Sequence, residues 1–392
     1  MRYGFKDIVI DSRTGLNPRK NFVLGRGDNN YITIKDIYDG RINITDKTDK
    51  VDDNAIQIIK KRSRIKVGDI LFVSIGRIGE TAIVTAKDDT WDVNESVFVF
   101  TINRKIITPG YFCMLFQSDA IQKYLLGNSS GSTFKSIKMN QLEKMIFELP
   151  PLTVQEEIMA KISKVKAICN LRISELTHLD NLIKARFVEL FGTYPANERS
   201  WPTGTIRELV TEVRYGSSRK AADGNKGKYP YLRMNNITYG GELDLTDTKT
   251  IDVPDDELDK CTVRRGDLLF NRTNSKELVG KTCVYNRDET MILAGFVVRV
   301  RLNDRALPEF VAAFMNTDFS KQMLLGMCKA AIGQANINAQ ELQNIGIYIP
   351  PVRMQKEFAS FKEQVDKSKV AVQKALDEAQ LLFDSLMQQY FG

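Results

Sequence analysis

A single histidine, His178, serves all 392 residues, which argues against a histidine-based triad or a multi-histidine metal centre. The five cysteines, at 113, 169, 261, 283 and 328, form no C-x-x-C pair. Reduced, buried thiols are therefore expected rather than a disulfide framework or a zinc site. No run of about 18 apolar residues is present, which excludes a helical membrane span. The opening Met1-Arg2-Tyr3-Gly4-Phe5-Lys6-Asp7 lacks the apolar stretch of a secretory signal and points to the cytoplasm. Catalytic signatures are missing too. There is no Asn-Pro-Pro-aromatic or Asp-Pro-Pro-aromatic tetrapeptide of the kind amino-methyltransferases use, and no G-x-G-x-x-G following a strand. What is present, 43% apolar and 27% charged residues, suits a globular chain long enough for two domains. The net charge of +7 is unevenly spread: residues 1–152 hold 23 Lys and Arg against 18 Asp and Glu, and later segments are nearly balanced. A polyanionic partner fits that surplus.

One repeat, with a period close to 200 residues, runs the whole length. Asn30-Tyr31-Ile32 answers Pro230-Tyr231-Leu232, and Gly68-Asp69-Ile70-Leu71-Phe72 answers Gly266-Asp267-Leu268-Leu269-Phe270. Pro109–Gly127 matches Pro308–Gly326 without a gap. Pro150-Pro151 with Gln155 answers Pro350-Pro351 with Gln355, and Phe191-Gly192 answers Phe391-Gly392. The chain is two copies of one unit.

β-Branched and aromatic content predicts strands at Ile70–Ile75, Thr81–Thr85 and Ser96–Ile102, with counterparts at Leu268–Asn271, Thr282–Tyr285 and Met291–Leu302. Pro109 and Pro308 each open an amphipathic helical stretch of about five turns. The extended segments Met145–Leu149 and Ile345–Ile349 run into the double prolines. Beyond these, apolar residues recur at 158, 162, 165, 169, 173, 176, 179, 183, 187 and 190. In the second copy apolar or small residues recur at 358, 361, 365, 368, 372, 375, 379, 382 and 386. Neither segment contains Gly or Pro before Gly192 or Gly392, so each reads as one helix of roughly 58 Å. The fold class expected is α+β: two strand-rich globular domains in a tandem pseudo-twofold repeat, separated by two long helices packed as an antiparallel coiled coil. Domain boundaries fall at 1–152, 153–192, 193–352 and 353–392.

Strands, a double proline, a glutamine a few residues on, a long helix, and the same again: this order resembles the specificity subunit of type I restriction–modification enzymes. Gly68-Asp69-Ile70-Leu71, Gly266-Asp267-Leu268-Leu269, Leu149-Pro150-Pro151-Leu152-x-x-Gln155 and Ile349-Pro350-Pro351-Val352-x-x-Gln355 carry the resemblance, which covers essentially the whole chain. It implies two target-recognition domains that each read one half of a split, double-stranded DNA site. It also implies helices that set the gap and dock two adenine-N6 methyltransferase subunits, with restriction and translocase subunits joining that core. S-adenosylmethionine, ATP and magnesium would belong to those partners, and this chain would be non-catalytic. Many relatives carry a further piece before the first domain, so the N-terminal contribution to the spacer is expected to be short or missing here.

Where the copies diverge, the loops are rich in side chains that contact bases and phosphates. The candidates in the first copy are Ser12, Arg13, Arg19, Lys20, Arg77, Ser132, Thr133 and Lys135. In the second they are Ser217, Ser218, Arg219, Lys220, Arg272, Asn274, Gln334 and Asn336. The basic run Lys60-Lys61-Arg62-Ser63-Arg64-Ile65-Lys66 suits phosphate binding and a solvated helix face equally. Ser275–Thr282 mimics a phosphate-binding loop, yet the first copy has Glu80 where the lysine would be, so it reads as a turn entering a strand. His178 reads as a partly exposed helix residue, and Trp91 and Trp201 as packing residues. Two other readings share these features: the specificity subunit of a fused methyltransferase–nuclease, and a coiled-coil adaptor joining two protein-binding β domains.

Overall fold

The computed structural model describes residues 1–131, 134–222, 224, 226–328 and 335–392. They form two compact units, Met1–Ile173 together with Lys374–Gly392, and Ser174–Gln373. Each is built on a four-stranded antiparallel sheet of the same order. In the first unit Val9–Thr14, Val97–Ile102, Ile70–Val73 and Thr81–Ile83 lie side by side. In the second the row is Val210–Tyr215, Val297–Leu302, Leu268–Asn271 and Thr282–Val284. A second sheet joins Asp49–Val51, Asn29–Ile32 and Trp91–Val93, the last two in parallel. Its counterpart uses Lys249–Ile251, Tyr229–Leu232, Met291–Leu293 and Thr262–Val263.

The central strands of the four-stranded sheets are buried on both faces, so Ile70–Val73 reads as an unbroken apolar run, whereas Val297–Leu302 is interrupted by Arg299 and Arg301, which are ion-paired. Ile70, Phe72, Phe98 and Phe100 pack toward the helices Pro109–Gln117 and Asp119–Gly127, whereas Leu71, Val73, Val97 and Val99 pack toward the second sheet. The same alternation sends Leu268, Phe270, Val298 and Val300 to one side of the second unit and Leu269 and Val297 to the other.

Two expectations need correction. Met291–Leu302 is not one strand: the turn Ala294-Gly295-Phe296 divides it between the two sheets. Nor do Pro109 and Pro308 open single five-turn helices. Ser118 ends one helix and caps the next by accepting from the Ile121 amide; in the second copy Asn316 ends Pro308–Met315 and Thr317 caps Asp318–Met327 by accepting from the Ser320 amide.

The repeated motifs have local physical causes. Gly68 and Gly266 take φ near +90°, and the following Asp69 and Asp267 fold back to accept from the amides of Lys66 and Arg264, each at 2.8 Å. Gln155 is fully buried and ties three segments together. Its Oε1 accepts from Thr108 N (3.0 Å), while its Nε2 donates to the Ile106 and Pro150 carbonyls. Gln355 repeats this with Leu307 N, Arg305 O and Pro350 O.

Each double proline leads into a continuous 40-residue helix, Leu152–Phe191 and Val352–Phe391. Within the second unit Arg186 meets Glu357 (2.6 Å) and Asp180 meets Lys369 (2.6 Å), so the two helices run antiparallel there. In the first unit Lys161 meets Tyr390, near the start of one helix and the end of the other. The helix ends are exchanged between repeats. Phe187 and Phe191, from the first helix, complete the core of the second unit against Phe310 and Phe358. Phe391, from the second helix, completes the first unit against Tyr111. The seam departs from the expected positions at Ile173 and Leu382, which are 53% and 51% exposed. Phe383 packs on the first unit's core where Leu382 was expected, because that end is buried by a globular core whose surface sets its own spacing.

Candidate nucleic-acid interface

At one end of the strands of each four-stranded sheet the diverging loops are brought together into an edge by backbone hydrogen bonds. In the first unit Ser74 donates from both its amide and its hydroxyl to Ser96 O, Gly76 N donates to Lys135 O, and Ile137 N donates to Ser74 O. In the second unit Arg272 N donates to Phe296 O (3.0 Å), Ile337 N to Arg272 O, and Gly295 N to Ser217 O. Thr273–Asn274 also pairs with Ala335–Asn336. The loop after the first strand passes so close to its neighbour that only glycine fits. A Cβ at Gly15 would lie 1.7 Å from Val93 O, and one at Gly216 would lie 2.2 Å from Leu293 O. Tyr31 and Tyr231, paired in the repeat, hold this loop through hydroxyls that donate to Leu16 O and to Ser217 O and Arg219 O.

This geometry sorts the candidate residues. Ser12, Arg19, Lys20, Lys135, Ser218, Lys220 and Asn336 are exposed. Asn274 is half-buried and donates to Asn271 Oδ1. Arg272 is half-buried with its guanidinium 4.9 Å above the Tyr215 ring. Arg219 is exposed and forks onto Glu257. Ser132, Thr133 and Gln334 lie outside the described residues.

Three candidates are spoken for by the scaffold. Arg13 is only 7% exposed, and its guanidinium donates to Asp69, Thr101 and the Arg64 carbonyl. It is a buried strut. The second unit fills that place differently: Arg299 and Arg301 converge on Glu212, and Arg301 continues to Asp267. A hydrogen bond from Arg214, with these arginines beside it, holds the Glu212 carboxyl below the usual range. Ser217 is buried and its hydroxyl accepts from Arg219 N. Arg77 is exposed but donates to Ile34 O and Ile37 O and leans on Tyr38. It lines a cavity of about 430 Å³ with Asp39, Glu80, Gln117, Gln122 and Lys166.

The basic run closes the helix Asp53–Ser63, where cations favour the C-terminal dipole. Lys60 pairs with Asp89, and Arg62 reaches Thr14 beside the gathered loops. Lys281 is buried and donates to Met234 O, so this lysine is committed to a backbone carbonyl within a turn that enters a strand. His178 is exposed on its helix, Trp91 is buried in a strand, and Trp201 donates to Phe191 O at the helix end. All five cysteines are buried. Among the described residues no group of three or more His, Cys, Asp and Glu side chains could hold a metal, and no helix is long and apolar enough to cross a membrane.

Residue-type reasoning missed the exposed aromatics at these edges, Phe134 in the first unit and Tyr215 and Phe296 in the second. An apolar ring inside a loop otherwise composed of polar residues was the available signal.

Two like scaffolds carrying unlike loop edges define a two-headed binding protein. A family model described as the type I restriction modification DNA specificity domain matches residues 6–178 and 198–379, and the chain belongs to that family. Among curated relatives, the EcoKI specificity subunit of Escherichia coli K12 is 22% identical over 299 residues, 72% of this chain and 64% of that protein. The putative MjaX specificity subunit of Methanocaldococcus jannaschii is 24% identical over 49% of this chain and 45% of its own length. The Escherichia coli EcoBI specificity subunit is 26% identical over 50% and 42%. The matches thus span about two fifths to just under two thirds of these relatives. In solved structures the fold matches the type I S subunit from M. genitalium, with TM-score 0.57 and 13% identity across 100% of this chain and 96% of that one. A chain from a study of assembly and conformational transition in the type I system gives TM-score 0.57 and 17% identity, covering 100% and 97%.

Proposed function

We propose that this chain is the DNA-recognition subunit of a type I restriction–modification complex and performs no chemistry itself. The gathered loops of residues 1–152 and 193–352 each read one half of a bipartite, asymmetric site in the major groove. The two long helices fix the gap and dock two methyltransferase subunits, which restriction and translocase subunits join. Each methyltransferase flips one adenine out of the duplex for N6-methylation. S-adenosylmethionine, ATP and magnesium act on those partner subunits. The protein works in the cytoplasm, where its DNA is.

One observation carries this reading: two copies share their strands, turns, buried glutamines and helix ends but not their loop edges. Evolution of a split specificity needs that combination, since a common scaffold positions each edge while its side chains choose the bases. The test is base-resolution mapping of N6-methyladenine in the source genome with and without this gene. A two-part motif with a fixed gap that vanishes on disruption is the expected result. An unchanged methylome, together with purified complex whose DNA affinity does not fall steeply with salt, would sink the proposal.

A further inference from the structure

In the second unit Phe296 is 51% exposed although it lies between two buried strands. The turn that presents it is pinned at several points. Its carbonyl accepts from Arg272 N and from Asn271 Nδ2, Gly295 N donates to Ser217 O, and Val297 N donates to Ala294 O. The ring is therefore held out by an ordered turn among the loops that carry Ser218, Arg272 and Asn274.

The repeat supplies an internal control. The equivalent position in the first copy is Ser96, whose carbonyl accepts from the Ser74 amide and hydroxyl at 3.0 and 2.7 Å. A serine performs the same backbone task, and there it is only 9% exposed. The scaffold has no need of a phenyl ring at this point, so the ring answers to something outside the unit. In the major groove thymine alone presents an apolar group, its C5-methyl, and aromatic side chains contact it.

We propose that Phe296 is a specificity-determining residue of the second reader that packs against the methyl group of one thymine in its half-site. This rests on the reading of the gathered loops as the DNA-facing edge. The first reader has no ring at this position, so its half-site owes no thymine preference to it.

The test uses the intact chain assembled with its partner subunits and duplexes carrying the genomic methylation motif. Thymines are replaced one at a time by deoxyuridine, which removes only the methyl group. One replacement in the second half-site should weaken binding about four-fold, the effect of one methyl group leaving a contact. With Phe296→Ser, copying the first unit, that dT-to-dU difference should vanish, while replacements in the first half-site keep their wild-type effects. Phe296→Leu, which retains an apolar side chain, should keep part of the difference. The proposal is overturned by a second half-site without thymine, by an unchanged dT-to-dU ratio in Phe296→Ser, or by a uniform loss on every duplex. Wild-type complex that ignores the motif altogether would overturn the DNA reading as well, and is distinguished by its failure on unmodified duplex.

Discussion

The two units share the strand order of their main sheet and differ in the side chains of one corner. In the first, Asp39, Glu80, Gln117 and Gln122 surround an open cavity. The repeat places Tyr239, Lys281, Asn316 and Lys321 at the corresponding positions of the second. There Lys321 lies 4.8 Å over the Tyr239 ring, and its buried ammonium has no hydrogen-bond acceptor among the described residues. Carboxylate and amide in one copy are thus lysines in the other on an unchanged strand-and-helix frame. By contrast, Gly68 and Gly266, Gln155 and Gln355, and Phe191 and Phe391 occupy equivalent contacts. Agreement between copies marks what the scaffold requires, and disagreement marks what it leaves free.

The largest effect should come from cutting the repeat in two. A fragment of residues 1–192 lacks Phe383, Leu386 and Phe391, which pack on the first unit's core. It retains Phe187 and Phe191, and Phe191 is the repeat equivalent of Phe391. Two fragments can therefore complete each other's cores. Sedimentation should show a dimer, and with methyltransferase present the methylated site should be symmetric, the first half-site twice. A stable, strictly monomeric fragment would break the equivalence of the helix ends.

Next in size is Arg13→Met, which leaves the buried Asp69 carboxylate without its cation and should cost about 3–5 kcal/mol. Denaturant titration measures that loss. Because Arg13 is a strut, the folded fraction should still recognise an unchanged half-site, and an altered motif would return it to the reading edge. Gln155→Leu and Gln355→Leu should each cost about 2–3 kcal/mol by stranding an amide and two carbonyls. Near-equal losses, read as midpoint shifts, are expected from the matching bonds. A loss in one copy alone would show that the other has an alternative support.

A pH-dependent effect concerns Lys321, whose burial, helped by Lys281 and Lys184, pushes its pKa down from 10.5 to about 8. Between about 8 and 10.5 the unfolded chain holds this proton more firmly than the folded one. Stability should therefore rise with pH across that window, by at most about 1.4 kcal/mol per pH unit. Lys321→Gln, the first copy's residue, should remove this rise and be more stable than wild type below pH 8. Thermal melts from pH 7 to 10.5 check the sign, and a slope that persists in the variant would assign it to another group.

Much of the architecture was legible because it repeats. A 200-residue period, the double prolines and an uninterrupted stretch ending at glycine are local or self-referential signals, and they locate both long helices to within a residue or two. The apolar central strands at Ile70–Val73 and Leu268–Asn271 were legible as well, whereas the second sheets and the strands Val9–Thr14 and Val210–Tyr215 were not. The proposed reading edge was legible only as loops that differ. Polarity alone could not separate Arg13, buried beneath the sheet's edge, from Lys135 on its surface, since a guanidinium and its carboxylate partner meet across 56 residues of chain. Nor could it raise Phe296 above other phenylalanines, because exposure depends on where the turn between two sheets falls.

The sequence by itself determined the duplication, the strand-rich unit and the helix that follows it, since these rest on periodicity, turn chemistry and the absence of helix breakers. Only the tertiary structure decided which arginines are struts and that each helix ends in the other repeat's core. Those outcomes depend on contacts between residues far apart in the chain, and buried charge and aromatic packing are settled only once such contacts have formed.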